Sequence, residues 1–250
     1  MYDVIILAAG KLEKDLKEIE HVETKAYLSL KNKIMIEYVI NALREVPQVT
    51  RIIAAVPSNN IPNGFDYMVD AICLGGKGMM DSLKSAIALC KTEYVLVLPC
   101  DVPLISPESI TDFLNSCSSR QAAFYYSFVS KSDSEKTYPN LKHTYVKLKD
   151  GVFCGGSLVL MKRSEFEKGE TLFRKLSESR KNIFGLASKL GLPIILKFLT
   201  NNLTVAELEK RASSMLSSQF AGIQSNYAET AFNVDNAETF KRAQQIIEAL

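Results

Sequence analysis

The feature that most constrains the fold is a pair of short apolar runs that stop abruptly at small or acidic residues. The first run covers residues 4–7 and ends in the small residues 8–10, and the second covers 95–98 and is followed by Asp101. Uninterrupted apolar runs of this length are typical of strands buried on both faces of a parallel sheet. In open α/β sheets, ligands bind at the carboxyl ends of such strands. The two runs therefore predict a ligand site where small residues and a carboxylate meet.

Strand and helix signals alternate along the first half of the chain. Strands are expected at 4–7, 51–56, 67–74 and 94–98, and helices at 34–46, 82–89 and 107–114. The last of these helices has Ser106 as its N-cap and Pro107 at its first position. Alternation of this kind gives right-handed crossovers and parallel pairing. We therefore predict an α/β fold, a single three-layer α/β/α domain with a mostly parallel central sheet.

The second half of the chain is less regular. Strands are expected at 122–129, 144–149, 152–161, 193–199 and, briefly, 232–234; helices at 164–190, 205–215 and 237–250; and a polar loop at 131–140. Asp150 and Gly151 form a hairpin turn signal between two of these strands. We find no internal repeat and no interdomain linker, so the sequence predicts one domain over 1–250.

Composition excludes several classes of protein. The net charge of +2 gives no strong field for nucleic acid or an anionic membrane, so neither partner is expected. No run approaches the roughly 18 apolar residues of a membrane span. The five cysteines are odd in number and scattered, which favours a reducing cytoplasm over a disulfide framework. With only two histidines, a histidine-rich metal site is excluded.

Two candidate sites consist of small residues near a strand end. Leu7, Ala8, Ala9 and Gly10 leave backbone open to a nucleotide, although the same residues also suit an ordinary tight turn. Further along, Gly75 and Gly76 precede a helix that carries Ser82, a pattern that suits either an anion or base site or simply a loop before a capped helix.

Charged residues supply the other two candidates. Lys25 could neutralise a phosphoryl group during transfer, or be one solvated lysine among 30 basic residues. Asp101 and Asp235 each follow an apolar segment, and two carboxylates at adjacent strand ends can share one Mg²⁺. Asp235 could also be a helix N-cap, although Asn236 is able to take that role.

Taken together and in this order, the motifs resemble the nucleotidyltransferases of the glycosyltransferase-A-like, nucleotide-diphospho-sugar transferase fold. These include the molybdenum cofactor guanylyl- and cytidylyltransferases, the sugar-1-phosphate nucleotidyltransferases and the methylerythritol phosphate cytidylyltransferases. The matching pieces are residues 4–10, Lys25 with the helix after it, Gly75-Gly76 with Ser82, 98–104 around Asp101, and 233–240 around Asp235.

The resemblance implies an Mg²⁺-dependent enzyme that moves an NMP from an NTP to a phosphorylated small-molecule acceptor and releases pyrophosphate. It implies that Lys25, Asp101 and Asp235 are catalytic, with the two aspartates on the metal. Residues of about 1–105 would bind the nucleotide. Residues of about 120–235 would bind the acceptor, near Gly155 and Gly156, which could equally mark a strand bulge.

One segment departs from the family pattern. Where the family has a glycine-rich turn and an arginine, residues 11–23 contain neither. Lys11, Lys14 or Lys17 would have to meet the triphosphate, against five acidic residues in the same segment. We expect a mobile loop here. The alternative is a short helix, since Leu12, Leu16 and Ile19 fall at helical spacing. The departure keeps open a second function, a non-catalytic nucleotide- or sugar-phosphate-binding protein.

Overall fold

The computed structural model describes residues 1–166, 169–170 and 192–249. It divides into two compact units. The first comprises Met1–Asp112 together with Phe232–Leu250, and the second comprises Phe113–Ala231.

The first unit is built on a parallel sheet. Its strands are β1 (Tyr2–Leu7), β4 (Val49–Val56), β5 (Ala71–Leu74) and β6 (Tyr94–Pro99). β1 lies in the centre, with β4 on one side and β6 on the other, and β5 pairs with β4. The middle of β1 and of β6 is fully buried, as the uninterrupted apolar runs predict. Because all four strands are parallel, their carboxyl ends lie along one edge.

Helices connect these strands. They are α1 (Lys14–Lys17), α2 (Met35–Arg44) and α3 (Met79–Ile87). After β6 the chain continues into α4 (Pro107–Ser118), and a C-terminal helix (Ala237–Ala249) belongs to the first unit. α3 packs against β1, β4 and β5. The hydroxyl of Ser106 accepts a hydrogen bond from the amide of Ser109 at 3.1 Å, which confirms the predicted cap of α4. A small hairpin of β2 (Ser29–Leu30) and β3 (Lys33–Ile34) precedes α2.

The second unit has a mixed sheet. β7 (Phe124–Ser130) pairs in parallel with β10 (Phe220–Ser225) and antiparallel with β9 (Gly151–Lys162), and β8 (Val146–Leu148) forms the predicted hairpin with β9. Most of the pairings between long strands are parallel, which confirms the α/β prediction and its mostly parallel sheet.

Two predicted elements of the second unit are wrong. The segment expected to be a loop at 131–140 begins with α5 (Lys131–Thr137), because Ser130 caps it by accepting from the amide of Asp133 at 3.1 Å. The segment expected to be a strand at 193–199 is the helix Leu192–Leu199. Ile194 and Phe198 are four residues apart, so one helical face carries both onto the apolar cluster around Leu203.

Other predictions are corrected or lie beyond the described residues. Residues 232–234 are not a strand, and a 3-10 helix, Ala228–Ala231, precedes them. The third predicted strand is shorter than expected, because the 3-10 helix Phe65–Tyr67 takes up its beginning. Most of the helical prediction for 164–190 lies outside the described residues, and the single-domain prediction stays a prediction. Within the described part of the chain, no helix is both long and apolar enough to cross a bilayer.

Candidate active site

The candidate active site lies in the first unit, at the carboxyl edge of its sheet. Asp101 follows the end of β6, and the amide of the residue between them, Cys100, donates to the carbonyl of Leu7 at 3.2 Å. Lys25 begins a 3-10 helix, Lys25–Tyr27. Thr24 caps that helix, and its buried hydroxyl donates to the carbonyl of Ala8 at 2.6 Å. These bonds fix both charged residues against the end of β1.

The ammonium of Lys25 joins the two predicted aspartates. Its Nζ donates to Oδ2 of Asp101 at 2.8 Å and to Oδ1 of Asp235 at 2.9 Å. Because both bonds end on one nitrogen, the two oxygens lie at most 5.7 Å apart, the sum of the two bond lengths. The side chains of Lys25 and Asp101 are only 12% and 13% exposed, whereas that of Asp235 is 68% exposed. The structure thus brings together three residues that are far apart in sequence.

Asn233 is a member of this cluster that sequence reasoning did not single out. Its Nδ2 donates to Oδ1 of Asp101 at 3.2 Å, and the amide of Val234 donates to the carbonyl of Asp101 at 2.8 Å. Asp101 is therefore held at both carboxylate oxygens and at its backbone. The signal was present in the sequence, since Asn233 lies two residues before Asp235 in the same motif.

The electrostatics of the cluster keep Lys25 charged. Burial by itself lowers the pKa of Lys25, but the charges of Asp101 and Asp235 and their hydrogen bonds outweigh it and raise the pKa above its ordinary value. Burial, reinforced by Asp101, raises the pKa of the neighbouring Cys100 thiol well above its usual range. Cys100 therefore stays a neutral thiol at physiological pH, which makes it a poor nucleophile.

The oxygen donors of this cluster suit a hard cation. Mg²⁺ is commonly held by one or two carboxylates, with substrate phosphates and water completing its shell. Asp101 and Asp235 supply such a pair, so the residues present fit the predicted ion. Within the described residues, no group of three or more His, Cys, Asp or Glu side chains is placed to hold a metal.

The small residues after β1 lie at the same edge. Ala8 is buried, and its amide continues the sheet by donating to the carbonyl of Ala55 at 2.9 Å. Gly10 is exposed, and a side chain there would meet nothing within 4 Å. Backbone at Gly10 is thus open to a ligand, whereas Leu7 and Ala8 belong to the sheet.

The loop of Gly75 and Gly76 is held in place by hydrogen bonds and packing within the protein. The amide of Gly75 donates to the carbonyl of Val56, and the amide of Gly76 donates to the hydroxyl of Ser82 at 3.1 Å. A side chain on Gly75 would come within 2.3 Å of Cβ of Ala9, so glycine is required there for packing. Ser82 is 3% exposed. In this arrangement Ser82 orders the loop, and its predicted contact with a nucleotide stays a prediction.

The segment that departs from the family pattern is ordered by its acidic residues. Oδ2 of Asp15 accepts from the amide of Ala237 at 2.7 Å, Glu20 accepts from the amide and hydroxyl of Ser29, and Glu23 accepts from the hydroxyl of Ser58 at 2.7 Å. Leu12 and Leu16 are buried and α1 forms between Lys14 and Lys17, whereas Ile19 lies outside α1 and is exposed. Of the two alternatives for this segment, the structure shows the short helix.

The same segment leaves its three lysines outward. Lys11, Lys14 and Lys17 are exposed. The side chains of this segment that form hydrogen bonds with the rest of the protein are mainly acidic. Three of the five carboxylates thus serve as anchors that order the segment.

Gly155 and Gly156 lie in β9 of the second unit. The ring of Tyr126 covers Gly155, where a Cβ would come within 2.2 Å of the tyrosine hydroxyl, and a Cβ on Gly156 would come within 2.3 Å of the hydroxyl of Ser127. The register between β7 and β9 shifts next to these residues, between Tyr126 and Phe128. The alternative that these glycines mark an irregularity in the strand thus accounts for both of them. Their predicted contact with an acceptor stays a prediction.

Comparison with known proteins places the chain among nucleotide-transferring enzymes. The family model described as a MobA-like NTP transferase domain matches residues 4–182. A probable molybdenum cofactor guanylyltransferase of Flavobacterium johnsoniae is 26% identical over 149 residues, which cover 55% of this chain and 70% of that protein.

Solved structures agree on the fold. A hypothetical transferase from Thermus thermophilus superposes with a TM-score of 0.84 at 28% identity, over 96% of this chain and 99% of the other. A 2-C-methyl-D-erythritol 4-phosphate cytidylyltransferase, also from Thermus thermophilus, gives a TM-score of 0.58 at 12% identity, over 99% of this chain and 100% of the other. At that identity the second likeness concerns the fold alone.

Proposed function

The chain belongs to the MobA-like NTP transferase family and is a nucleotidyltransferase, and from this premise we propose that it moves an NMP from an NTP to a phosphorylated small-molecule acceptor with the help of Mg²⁺. An oxygen of the acceptor phosphate attacks the α-phosphorus. The bond between the α-phosphorus and the bridging oxygen to the β-phosphorus breaks, and pyrophosphate leaves. The family membership favours catalysis over the non-catalytic binding function.

The observation that carries this proposal is the bridge from Lys25 to Asp101 and Asp235 at the carboxyl edge of the sheet. A charged ammonium at that edge can stabilise negative charge on a phosphoryl group in the transition state. Phosphoryl and nucleotidyl transfers depend mainly on positioning and electrostatics, so no side-chain nucleophile is needed. The neutral thiol of Cys100 is consistent with such a mechanism.

The residues of the cluster have different proposed roles. Asp101, held by Asn233 and Val234, and Asp235 would bind Mg²⁺, which supplies charge neutralisation and alignment of the phosphates when bound. Lys25 keeps its positive charge because its pKa stands above the ordinary value. It can therefore transfer one of its hydrogen bonds from a carboxylate to a phosphate oxygen without changing protonation.

The nucleotide is proposed to lie along the edge between β1 and β5. The open backbone at Gly10 is available to the phosphates. The base and ribose would lie beside the loop of Gly75 and Gly76, whose amides are already bonded to Val56 and Ser82. A cytoplasmic location is part of the same proposal. None of the five cysteines, all within the described residues, takes part in a disulfide, which suits a reducing compartment.

A panel of nucleotides tests the function. The four NTPs are compared by thermal shift with and without Mg²⁺, and pyrophosphate release is then measured with sugar, alcohol and pterin phosphates as acceptors. A ligand at 100 times its Kd stabilises the fold by about 2.7 kcal/mol, or roughly 5–10 °C for a chain of this size. We expect one NTP to stand out, and only with Mg²⁺. A chain that responds to no NTP and releases no pyrophosphate would contradict the proposal.

The three outward lysines yield a further prediction. Replacing Lys11, Lys14 and Lys17 together by glutamine is expected to weaken NTP binding by roughly tenfold, since exposed charge pairs contribute modestly one by one. The loss should shrink at higher salt because the Debye length shortens. Isothermal calorimetry at low and moderate ionic strength measures both effects.

The same segment offers a control of opposite charge. Glu13 and Glu18 are exposed, and replacing both by glutamine removes negative charge without touching the three anchoring carboxylates. This variant should bind NTP at least as tightly as the wild type. If the lysine variant keeps wild-type affinity, the triphosphate is held elsewhere.

A further inference from the structure

We propose that Asp15 is a positioning residue for the reaction: from the altered segment, it holds the backbone that presents Asp235 to the site. This inference rests on the proposed function, because it concerns the placement of a residue in that site. It also assigns a role to the segment 11–23, which lacks the glycines and arginine of the family pattern.

The contact is direct and joins distant parts of the chain. Oδ2 of Asp15 accepts a hydrogen bond from the amide of Ala237 at 2.7 Å, across 222 residues of sequence. Ala237 is the first residue of the C-terminal helix, two residues after Asp235. Amides in the first turn of a helix have no partner within the helix. Asp15 therefore caps this helix from outside.

The remaining amides near Asp235 are satisfied locally. The hydroxyl of Thr239 accepts from the amides of Asp235 and Asn236 at 3.0 and 3.2 Å, and the side chain of Asn236 accepts from the amide of Thr239 at 2.9 Å. These bonds form a self-contained cap. The hydrogen bond from Ala237 to Asp15 ties that cap to the altered segment.

Asp235 needs such support because packing does not hold its side chain. The side chain is 68% exposed and meets Lys25 through one oxygen. Its backbone is anchored on one side by the bond from the amide of Val234 to the carbonyl of Asp101, and on the other by Asp15. Loss of the second anchor would let Asp235 move relative to Asp101.

Asp15 is itself well fixed. The next residue, Leu16, is fully buried, and its amide donates to Oδ1 of Asp15 at 3.1 Å. The two carboxylate oxygens of Asp15 thus divide between its own helix and the C-terminal helix. Glu20 anchors the same segment to Ser29 instead, which makes Glu20 the natural control.

The test compares three variants of the full chain: Asp15→Ala, Asp15→Asn and Glu20→Ala. Three properties are measured: kcat and KM for the preferred NTP, the Kd of Mn²⁺ alone by electron paramagnetic resonance, and amide hydrogen exchange of the peptide spanning 232–240. Melting curves report any general loss of stability.

Asp15→Ala should lower kcat about tenfold with a smaller change in KM, and weaken Mn²⁺ binding about tenfold, the range seen when residues that orient metal ligands are lost. Exchange at 232–240 should become faster. Asp15→Asn keeps an acceptor oxygen and should recover most of each loss. Glu20→Ala should lower the melting temperature without changing kcat, Mn²⁺ affinity or exchange at 232–240.

Unchanged exchange, kcat and Mn²⁺ affinity in Asp15→Ala would overturn the inference, as would equal effects from Glu20→Ala. Failure of the proposed function looks different: the wild type itself would release no pyrophosphate and bind no Mn²⁺. In that case the exchange measurement still decides whether Asp15 holds the segment around Asp235, because it requires no activity.

Discussion

Replacing Asp101 by asparagine is expected to lower pyrophosphate-forming turnover by about two to three orders of magnitude, while the fold remains intact. The substitution removes one negative charge from the cluster without changing the shape of the side chain. Both the proposed metal and Lys25 lose their most buried anionic partner, and preorganised charges of this kind commonly contribute about that much. The backbone bond from Val234 to the carbonyl of Asp101 does not involve the side chain, so this anchor survives.

The measurement pairs pyrophosphate release with a melting curve for each variant. Asp66→Asn is a suitable control, because Asp66 is an exposed carboxylate in the 3-10 helix before β5. The control should match the wild type in both measurements. If Asp101→Asn turns over like the wild type, Asp101 has no part in the mechanism. If Asp101→Asn fails to fold, Asn233→Ala is measured instead, because it loosens Asp101 without removing its charge.

The residues at the strand ends could be predicted because an apolar run in the sequence marks where each buried strand stops. An apolar run long enough for one buried strand places Asp101 at its carboxyl end, and parallel pairing brings the ends of β1 and β6 to one edge. The resemblance then indicated Lys25 and Asp235, and the structure brings all three together through two hydrogen bonds. The order of strands accounts for Asp101, whereas Lys25 lies in a 3-10 helix and Asp235 follows an irregular segment, so their placement came from the resemblance.

Contacts between distant loops were harder to predict. Asn233 reaches Asp101 across 132 residues, and Asp15 reaches Ala237 across 222. Neither pairing has a periodic signal, because each depends on how two irregular segments lie against each other. For the same reason the sequence shows the acidic residues of 11–24 only as charges that repel phosphate, and does not show that three of them anchor the segment.

Short apolar and short polar segments account for the wrong elements. The run at 193–199 is compatible with a buried strand or a helix, and its partner cluster around Leu203 decides for the helix. At 131–137, a polar composition suggested a loop, yet the cap from Ser130 and the pair of Lys131 and Glu135 at 3.5 Å support a helix. In both cases tertiary contacts or capping outweighed composition.

Lys25→Met is expected to reduce kcat by about two to three orders of magnitude and to change the Kd of the NTP by only a few fold. Methionine keeps the length and much of the packing of the side chain but removes the charge. A group that acts chiefly in the transition state affects turnover more than ground-state affinity. Calorimetry and pyrophosphate release on the same variant separate the two quantities.

The pH profile tests whether Lys25 stays charged while the enzyme turns over. The pKa of Lys25 is raised above its ordinary value, so the ammonium stays protonated at neutral and moderately alkaline pH. Whatever stability its ion pairs provide is fully present below the ordinary lysine pKa and is lost only as pH rises through the higher folded value. Between about pH 7 and 9 we therefore expect no alkaline decline in rate from Lys25.

The variant should accordingly lower the rate by the same factor at every pH in that range. An alkaline decline of the wild type within this range that Lys25→Met abolishes would instead mean that Lys25 loses its proton there, against the raised pKa. Lys91→Met is the matched control, since Lys91 is exposed and precedes β6 at the end opposite Asp101. It removes the same charge from the same unit but leaves the cluster intact, so its kcat should equal that of the wild type. An equal loss in both variants would mean that net charge, rather than the ammonium between Asp101 and Asp235, governs the rate.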